Sequence, residues 1–387
     1  MNRLILIGNG FDLAHGMKTS YNDFILWYLT NCFSKSGDGY EDDLLIIQAN
    51  SYVYVHQELA GKTIPEYIKE HYENGTLNSL MQIKHDYVSD FITSSDHYRS
   101  RQPEWTSAFK VQIKSELLTQ MINNCAIDKW VDIENLFYSS LKKALTVENQ
   151  NKDRDVKDLN KSIAFIIEEL RVYLANLGHC KERIDEYRIL MKEAIRPSEI
   201  VERPPLTPDD LLGTVPNNTL ILNFNYTDTV EQYLSDDSNV KVNYIHGKLN
   251  ENENPMIFGF GDELDAEYSK FELDRTKELF KYIKSFWYFK TSNYHDLLRF
   301  IQGETFQVYI LGHSCGLSDR TMLNMIFEHE NCVSIKIYYY ENPQEISKNN
   351  YTELTEEISR HFKDKRQMRL KIVPFDKSSC MPQISPF

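Results

Sequence analysis

Four short stretches of this chain carry side chains suited to chemistry. They are Gly8-Asn9-Gly10, Asn223-Phe224-Asn225-Tyr226-Thr227, His246-Gly247, and Gly312-His313-Ser314 followed by Ser318-Asp319. Glycines let the main chain approach a ligand without a β-carbon in the way, and a helix starting near residues 11–13 would aim free N–H groups at a phosphate. The first stretch therefore suits a nucleotide diphosphate, although a full dinucleotide fingerprint would place a third glycine where Leu13 stands. A carboxamide such as Asn225 donates and accepts at once, so it can hold a water or a sugar hydroxyl. An imidazole such as that of His246 can take a proton from either. Taken singly, each has a plainer reading: Asn225 as a turn former, His246 as a loop histidine, and His15 and His313 as turn residues beside a phosphate loop.

The elements that would position these residues are short strands. The apolar run at residues 4–7 reads as a strand buried on both faces. Further strands are expected at 219–224, 241–245, 306–311, 334–340 and 369–374. Helices would separate them at 228–234, within 272–302, and at 318–327 and 351–362. Strands alternating with helices imply an α/β, Rossmann-like, mainly parallel sheet with right-handed crossovers, and in such sheets ligands sit at the carboxyl ends of the strands. All four stretches follow predicted strands, so they would meet over one crevice.

Between the first strand and the rest lies a large α-helical insertion. A helical face is expected at 20–32, where Tyr21 and Phe24 read as core packing, and helical texture continues to about residue 208 with loops at 35–40 and 75–78. Its clearest element is 161–177, where Ile163, Ile166, Ile167, Leu170, Leu174 and Leu177 recur at helical spacing before Gly178. Pro197, Pro204, Pro205 and Pro208 mark its edge. The expected division is thus 1–34 and 209–387 for the sheet domain, with 35–208 inserted. Within the insertion Trp130 and Glu134 stand four apart on one helical face, with Asp132 off it. This is either a core Trp beside a solvated carboxylate or a carboxylate lining a pocket.

Composition narrows the function classes. The chain has 387 residues, 41% of them hydrophobic, and a net charge of −14, so a basic nucleic-acid surface is not expected. No signal peptide or membrane span is expected, which points to a cytoplasmic protein. The six cysteines lie far apart without a C-x-x-C pair, and the eleven histidines are scattered, so neither a disulfide framework nor a metal is indicated. A loosely ordered tail is expected after Phe375.

In the order GNGFDLAHG, LNFNYTDTVEQY, IHG and GHSCGLSD, these motifs resemble the bacterial abortive-infection AbiH family and, through it, the SIR2-like NAD-consuming proteins. The resemblance implies a SIR2-like Rossmann fold and a role in defence against bacteriophage. Gly8 and Gly10, with Asn9 and Asp12 beside them, match the turn that holds the cofactor diphosphate. Asn225, with Tyr226, matches the asparagine of the T-x-N-Y-D motif beside the nicotinamide ribose, and His246 the sirtuin general base. Gly312 and Ser314 match the later G-x-S loop near the adenosine ribose and phosphate, with Asp319 adjoining. Two departures matter: the paired cysteines of the sirtuin zinc module are absent, and Thr227 stands where the motif has Asp, with Asp228 one residue later. The implied activity is hydrolysis of NAD, the substrate, to nicotinamide and ADP-ribose, with Asn225 and His246 catalytic and Asp12 or Glu134 facing the cationic transition state. A catalytically silent NAD or ADP-ribose sensor, and an ADP-ribosyltransferase, are the alternatives. Such an activity needs restraint in healthy cells, so a phage-derived trigger, a regulatory protein or a homo-oligomer is expected.

Overall fold

The computed structural model describes residues 1–50, 52–80, 108–123, 130–146, 150–201, 213–234 and 239–384. The chain forms two compact units, one of residues 1–20, 174–275 and 279–387 and one of residues 21–173 and 276–278.

The first unit is built on six parallel strands: β1 (Asn2–Ile7), β2 (Thr219–Asn223), β3 (Val240–Tyr244), β4 (Phe306–Leu311), β5 (Cys332–Tyr339) and β6 (Ser379–Cys380). Their spatial order is β6-β5-β4-β1-β2-β3, the Rossmann order with its reversal between β1 and β4. Alternating side chains of β1, β2 and β4 enter two apolar layers. Leu4, Leu6, Leu220, Leu222, Val308 and Ile310 pack on one face, and Ile5, Ile7, Ile221, Tyr309 and Leu311 on the other. A strand buried on both faces must be apolar throughout, which is why β1 reads as an unbroken run.

Two expectations for this unit are corrected. Residues 369–374 do not form a strand: Asp364 caps a helix, Lys365–Lys371, by accepting from the Arg366 N–H at 2.8 Å. Only Ile372 bridges to Ile335, and the sixth strand is instead Ser379–Cys380, paired with Tyr338 and Tyr339. For the same reason the tail is anchored, not loose, as far as Ile384. Met381 N–H donates to Tyr339 O at 2.8 Å, Ile384 N–H to Ala14 O at 3.1 Å, and the Tyr187 hydroxyl to Pro382 O at 2.6 Å.

The second unit is helical but not wholly so. Helices Tyr21–Ser34, Ile64–Glu73, Glu116–Asn123 and Trp130–Ala144 accompany an antiparallel sheet of Tyr40–Glu41, Leu45–Ala49 and Phe109–Ile113. That sheet corrects the reading of 35–208 as helix and loop. Asp42 organises its turn: Oδ1 accepts the N–H groups of Leu44 and Leu45, and Oδ2 the hydroxyls of Tyr28 and Tyr40. The helix expected at 161–177 runs from Lys152 to Leu177. The units divide at Ser20 and Tyr173, where the sequence suggested 34 and 208, because helix Tyr21–Ser34 packs on Ile64–Glu73 and the long helix ends inside the sheet unit. Pro204, Pro205 and Pro208 lie outside the described residues, as does the side chain of Trp130. Glu134 is buried within the helical unit.

Candidate active site

Strand register brings the four stretches to one edge of the sheet. Ile7 pairs with both Asn223 and Leu311, and Asn223 with Tyr244. The next residues of each strand, Gly8, Phe224-Asn225, Ile245-His246 and Gly312-His313, therefore leave the sheet side by side.

At the reversal between β1 and β4 the two glycine turns pack on each other. Gly10 N–H donates to Gly312 O at 2.9 Å, Gly8 N–H to Leu311 O at 3.2 Å and Phe11 N–H to Gly8 O at 2.9 Å. A β-carbon on Gly10 would lie 2.8 Å from Gly312 Cα, and one on Gly312, at φ +70°, 2.2 Å from Phe11 N. The glycines are thus required for backbone against backbone, and these three N–H groups already have protein acceptors. Helix Asn9–Ala14 starts at once after Gly8, two residues earlier than expected. Asn9 is half-buried at its start.

Beyond that turn the site separates into two clusters. In the first, Asp12 is 1% exposed. Its Oδ2 accepts the Thr227 hydroxyl at 2.6 Å, and Thr229 Oγ1 lies 3.4 Å from Thr227 Oγ1. Among the described residues the buried Asp12 Oδ1 has no hydrogen-bond partner. Burial pushes this carboxyl up to about 6, against the downward pull of Thr227, Thr229 and Asn225. Asn225 is locked beside it: its N–H donates to Asn223 Oδ1 at 3.1 Å and its Nδ2 to Gly8 O at 3.0 Å. Its own Oδ1 remains as an acceptor.

In the second cluster the carboxylate is Asp319. Its Oδ1 lies 2.9 Å from Lys284 Nζ and 3.1 Å from His246 Nε2, and its Oδ2 3.9 Å from His313 Nε2. Burial acts to raise Asp319, but the Lys284 ammonium, and after it His246 and His313, hold it well below the ordinary carboxylate range. Burial lowers His313 to about 4. His313 Nδ1 accepts the Cys315 N–H at 3.0 Å, which leaves its hydrogen on Nε2, toward Asp319. Phe224 wedges its ring between the two histidines, with centroids 5.0 Å from His246 and 4.1 Å from His313. His246 is held by its backbone as well. Its carbonyl accepts the Ile257 N–H at 2.7 Å, and Gly247 follows at φ +85° where a β-carbon would meet Pro255 O at 2.1 Å.

The other expected residues are placed as follows. The Tyr226 hydroxyl donates to Ile257 O at 2.9 Å, and the residue lines a cleft of ≈ 110 Å³ with Asp228, His179 and Lys248. Asp228 Oδ2 is 2.7 Å from His179 Nδ1. Thr227, not Asp228, meets the Asp12 carboxylate. Ser314 is half-buried in the turn before Cys315. His15 is a buried packing residue: its Nδ1 hydrogen goes to Phe11 O at 2.6 Å, its Nε2 takes the Tyr233 hydroxyl at 2.6 Å, and its ring stacks on Tyr187. Lys284 and Tyr288 were missed. Their signal was a lysine inside the apolar and aromatic stretch YIKSFWYF, where a solvated charge has no place. Among the described residues no group of three His, Cys, Asp or Glu side chains could hold a metal ion, and no helix is long and apolar enough to cross a membrane.

The sequence profile described as bacteriophage abortive infection AbiH matches residues 4–341. No curated protein and no solved structure matches the chain.

Proposed function

The chain belongs to the bacteriophage abortive infection AbiH family, and from that premise we propose that it is an NAD hydrolase of SIR2-like type, acting in phage defence by depleting the dinucleotide. The observation that carries this reading is the buried, unpartnered Asp12 Oδ1 beside Asn225 at the carboxyl edge of a Rossmann-ordered sheet. A buried acceptor without a donor is costly, and a ribose hydroxyl or a water supplies the missing hydrogen.

In the proposed reaction a water oxygen bonds to the ribose carbon as the bond to the nicotinamide nitrogen breaks. That bonding pair leaves with nicotinamide, which departs neutral. Asn225 Oδ1 orients the ribose or the water, ionised Asp12 opposes the positive charge that develops on the sugar, and His246 takes the water proton. Gly8, Gly10 and Gly312 act in this reading by fixing the turns that carry Asp12 and His313. Any diphosphate contact falls to Asn9, Ser314 and neighbouring groups.

To test it, purified protein is incubated with NAD, alone and with phage lysate or candidate activators, and nicotinamide is followed. We expect release that drops at least about 100-fold in both Asn225→Ala and His246→Ala, the range for loss of a general base or positioning group. Wild type no faster than the two variants under every condition ends the hydrolase reading. A second reading, a sensor that binds the dinucleotide without cleaving it, is favoured by one contact: Asp228, the nearest substitute for the motif's acid, is held by His179. Binding by calorimetry without nicotinamide release supports that alternative.

A further inference from the structure

We propose that Asp319, pinned by Lys284, is a positioning residue that fixes His246 as the Nε2–H tautomer, so that Nδ1 is the atom that accepts the proton. The inference rests on His246 being the base of the proposed reaction, but its evidence is geometric. His246 Nε2 faces Asp319 Oδ1 at 3.1 Å, and the same oxygen takes the Lys284 ammonium at 2.9 Å. Lys284 is 1% exposed, and with that cation fixed against it Asp319 stays ionised. An ionised carboxylate accepts and never donates, so the nitrogen that faces it must carry the hydrogen.

The rest of the surroundings agree. His313 turns its own Nε2–H toward Asp319 Oδ2, because its Nδ1 already accepts the Cys315 N–H. His361, whose Nε2 lies 2.7 Å from Cys315 O, closes the far side of that turn. The Tyr288 hydroxyl lies 3.1 Å from His246 Nε2 and is the competitor. If Tyr288 were the donor, Nε2 would be the acceptor and the base would be sealed inside the protein, with nothing left for a water. The Tyr288 ring lies parallel to the imidazole at 6.2 Å, and Phe224 meets it edge-on at 5.0 Å, so the ring has little freedom to reverse. Once Nδ1 takes a proton, Asp319 faces the resulting imidazolium and stabilises it, as the carboxylate of a hydrolase triad does for its histidine. Lys284 then has a defined part: it keeps Asp319 ionised before the proton arrives.

Nitrogen NMR of the full chain labelled at histidine reads the tautomer without any turnover of NAD. The His246 signals are identified as those missing from His246→Gln. We expect a protonated Nε2 and a bare Nδ1 in the wild type at pH 7.5. The Lys284→Met/Asp319→Leu variant replaces the buried pair with apolar side chains, so no unpaired charge is left to unfold it. There we expect the tautomer to shift toward Nδ1–H, with Tyr288 donating to Nε2. A wild type carrying its hydrogen on Nδ1, or an unchanged tautomer in the double variant, overturns the proposal. In turnover the double variant should lose at least about 10-fold in kcat with KM little changed, whereas a merely structural pair would leave the tautomer alone. An Nε2–H wild type that releases no nicotinamide sinks the hydrolase reading while leaving this assignment standing.

Discussion

Two aspartates, both buried at the carboxyl edge of one sheet, are driven in opposite directions. Asp12 has hydroxyl and amide neighbours and, among the described residues, no cation drawing it down, and burial wins: its carboxyl rises to about 6. Asp319 has a buried ammonium at 2.9 Å and two imidazoles, and their attraction outweighs the same desolvation. Burial therefore does not decide what a carboxylate does here; the nearest cation does. Asp319, still ionised, is paired with Lys284 and built into the protein. Asp12 is ionised at neutral pH at a cost, with one oxygen unpartnered, and such an unrelieved cost is characteristic of a group kept for a ligand.

Removing the cation should abolish the contrast, with the largest effect. Lys284→Met strands Asp319 without its partner, and breaking a buried pair costs about 3–5 kcal/mol. Urea denaturation of the intact chain should register that loss, and adding Asp319→Leu should restore much of it. Asp12→Asn should have the opposite sign. A carboxyl whose folded value, about 6, lies above the ordinary 3.8 binds more protons in the folded state. Its contribution is favourable below about pH 4 and is lost as pH rises through about 6. The Asn variant, which keeps an acceptor for Thr227, should therefore gain about 3 kcal/mol at pH 7.5 and nothing near pH 4. A loss of stability at pH 7.5 would mean that Asp12 is as well compensated as Asp319.

The sheet was legible in the sequence where its strands bury both faces, as β1, β2 and β4 do, and β4 was readable to the residue at 306–311. The short edge strand Ser379–Cys380 was not, since two residues carry no periodicity and the basic, helix-forming RQMRLK run sits where a strand was sought. The site was half legible. Asn225, His246 and Asp319 were visible as strand-end residues. Asp319, however, reads from its motif as a cofactor contact and lies instead against His246. That role depends on Lys284, which arrives from a segment with no strand of its own, and no local spacing could have joined the two. The glycines have a structural reason beside the one inferred: the missing β-carbons of Gly10 and Gly312 make room for each other.

The same contrast extends to the histidines that accompany the second aspartate. Burial lowers His313 and His361 each to about 4. The unfolded chain therefore takes up protons near pH 6.5, before the folded chain does. Stability from these groups is complete above about pH 6.5 and falls as pH drops toward 4, by about 1.4 kcal/mol per unit for each. His313→Gln should flatten that slope, leaving the variant about 2 kcal/mol less penalised by a change from pH 7.5 to pH 5, measured as the shift in urea midpoint between the two.

The smallest expected effect tests what holds Asp12 as low as it is. The Thr227 hydroxyl, 2.6 Å from Oδ2, is the strongest influence opposing burial there. Thr227→Val keeps the shape and removes the donor, so the Asp12 carboxyl should titrate above 6, read by carbon NMR of labelled aspartate. The stability loss at pH 7.5 should be about 1 kcal/mol. If the carboxyl instead does not move, Thr227 is not what steadies its ionised form. The hydroxyl in place of the motif's acid would then be a packing substitution. If it moves as expected, Thr227 has a reason to differ from the motif: a second carboxylate at that position would press against Asp12 and raise it further, whereas a hydroxyl keeps it ionised near neutrality. Asp228, one residue on and held by His179 at 2.7 Å, keeps the acidic charge outside that contact.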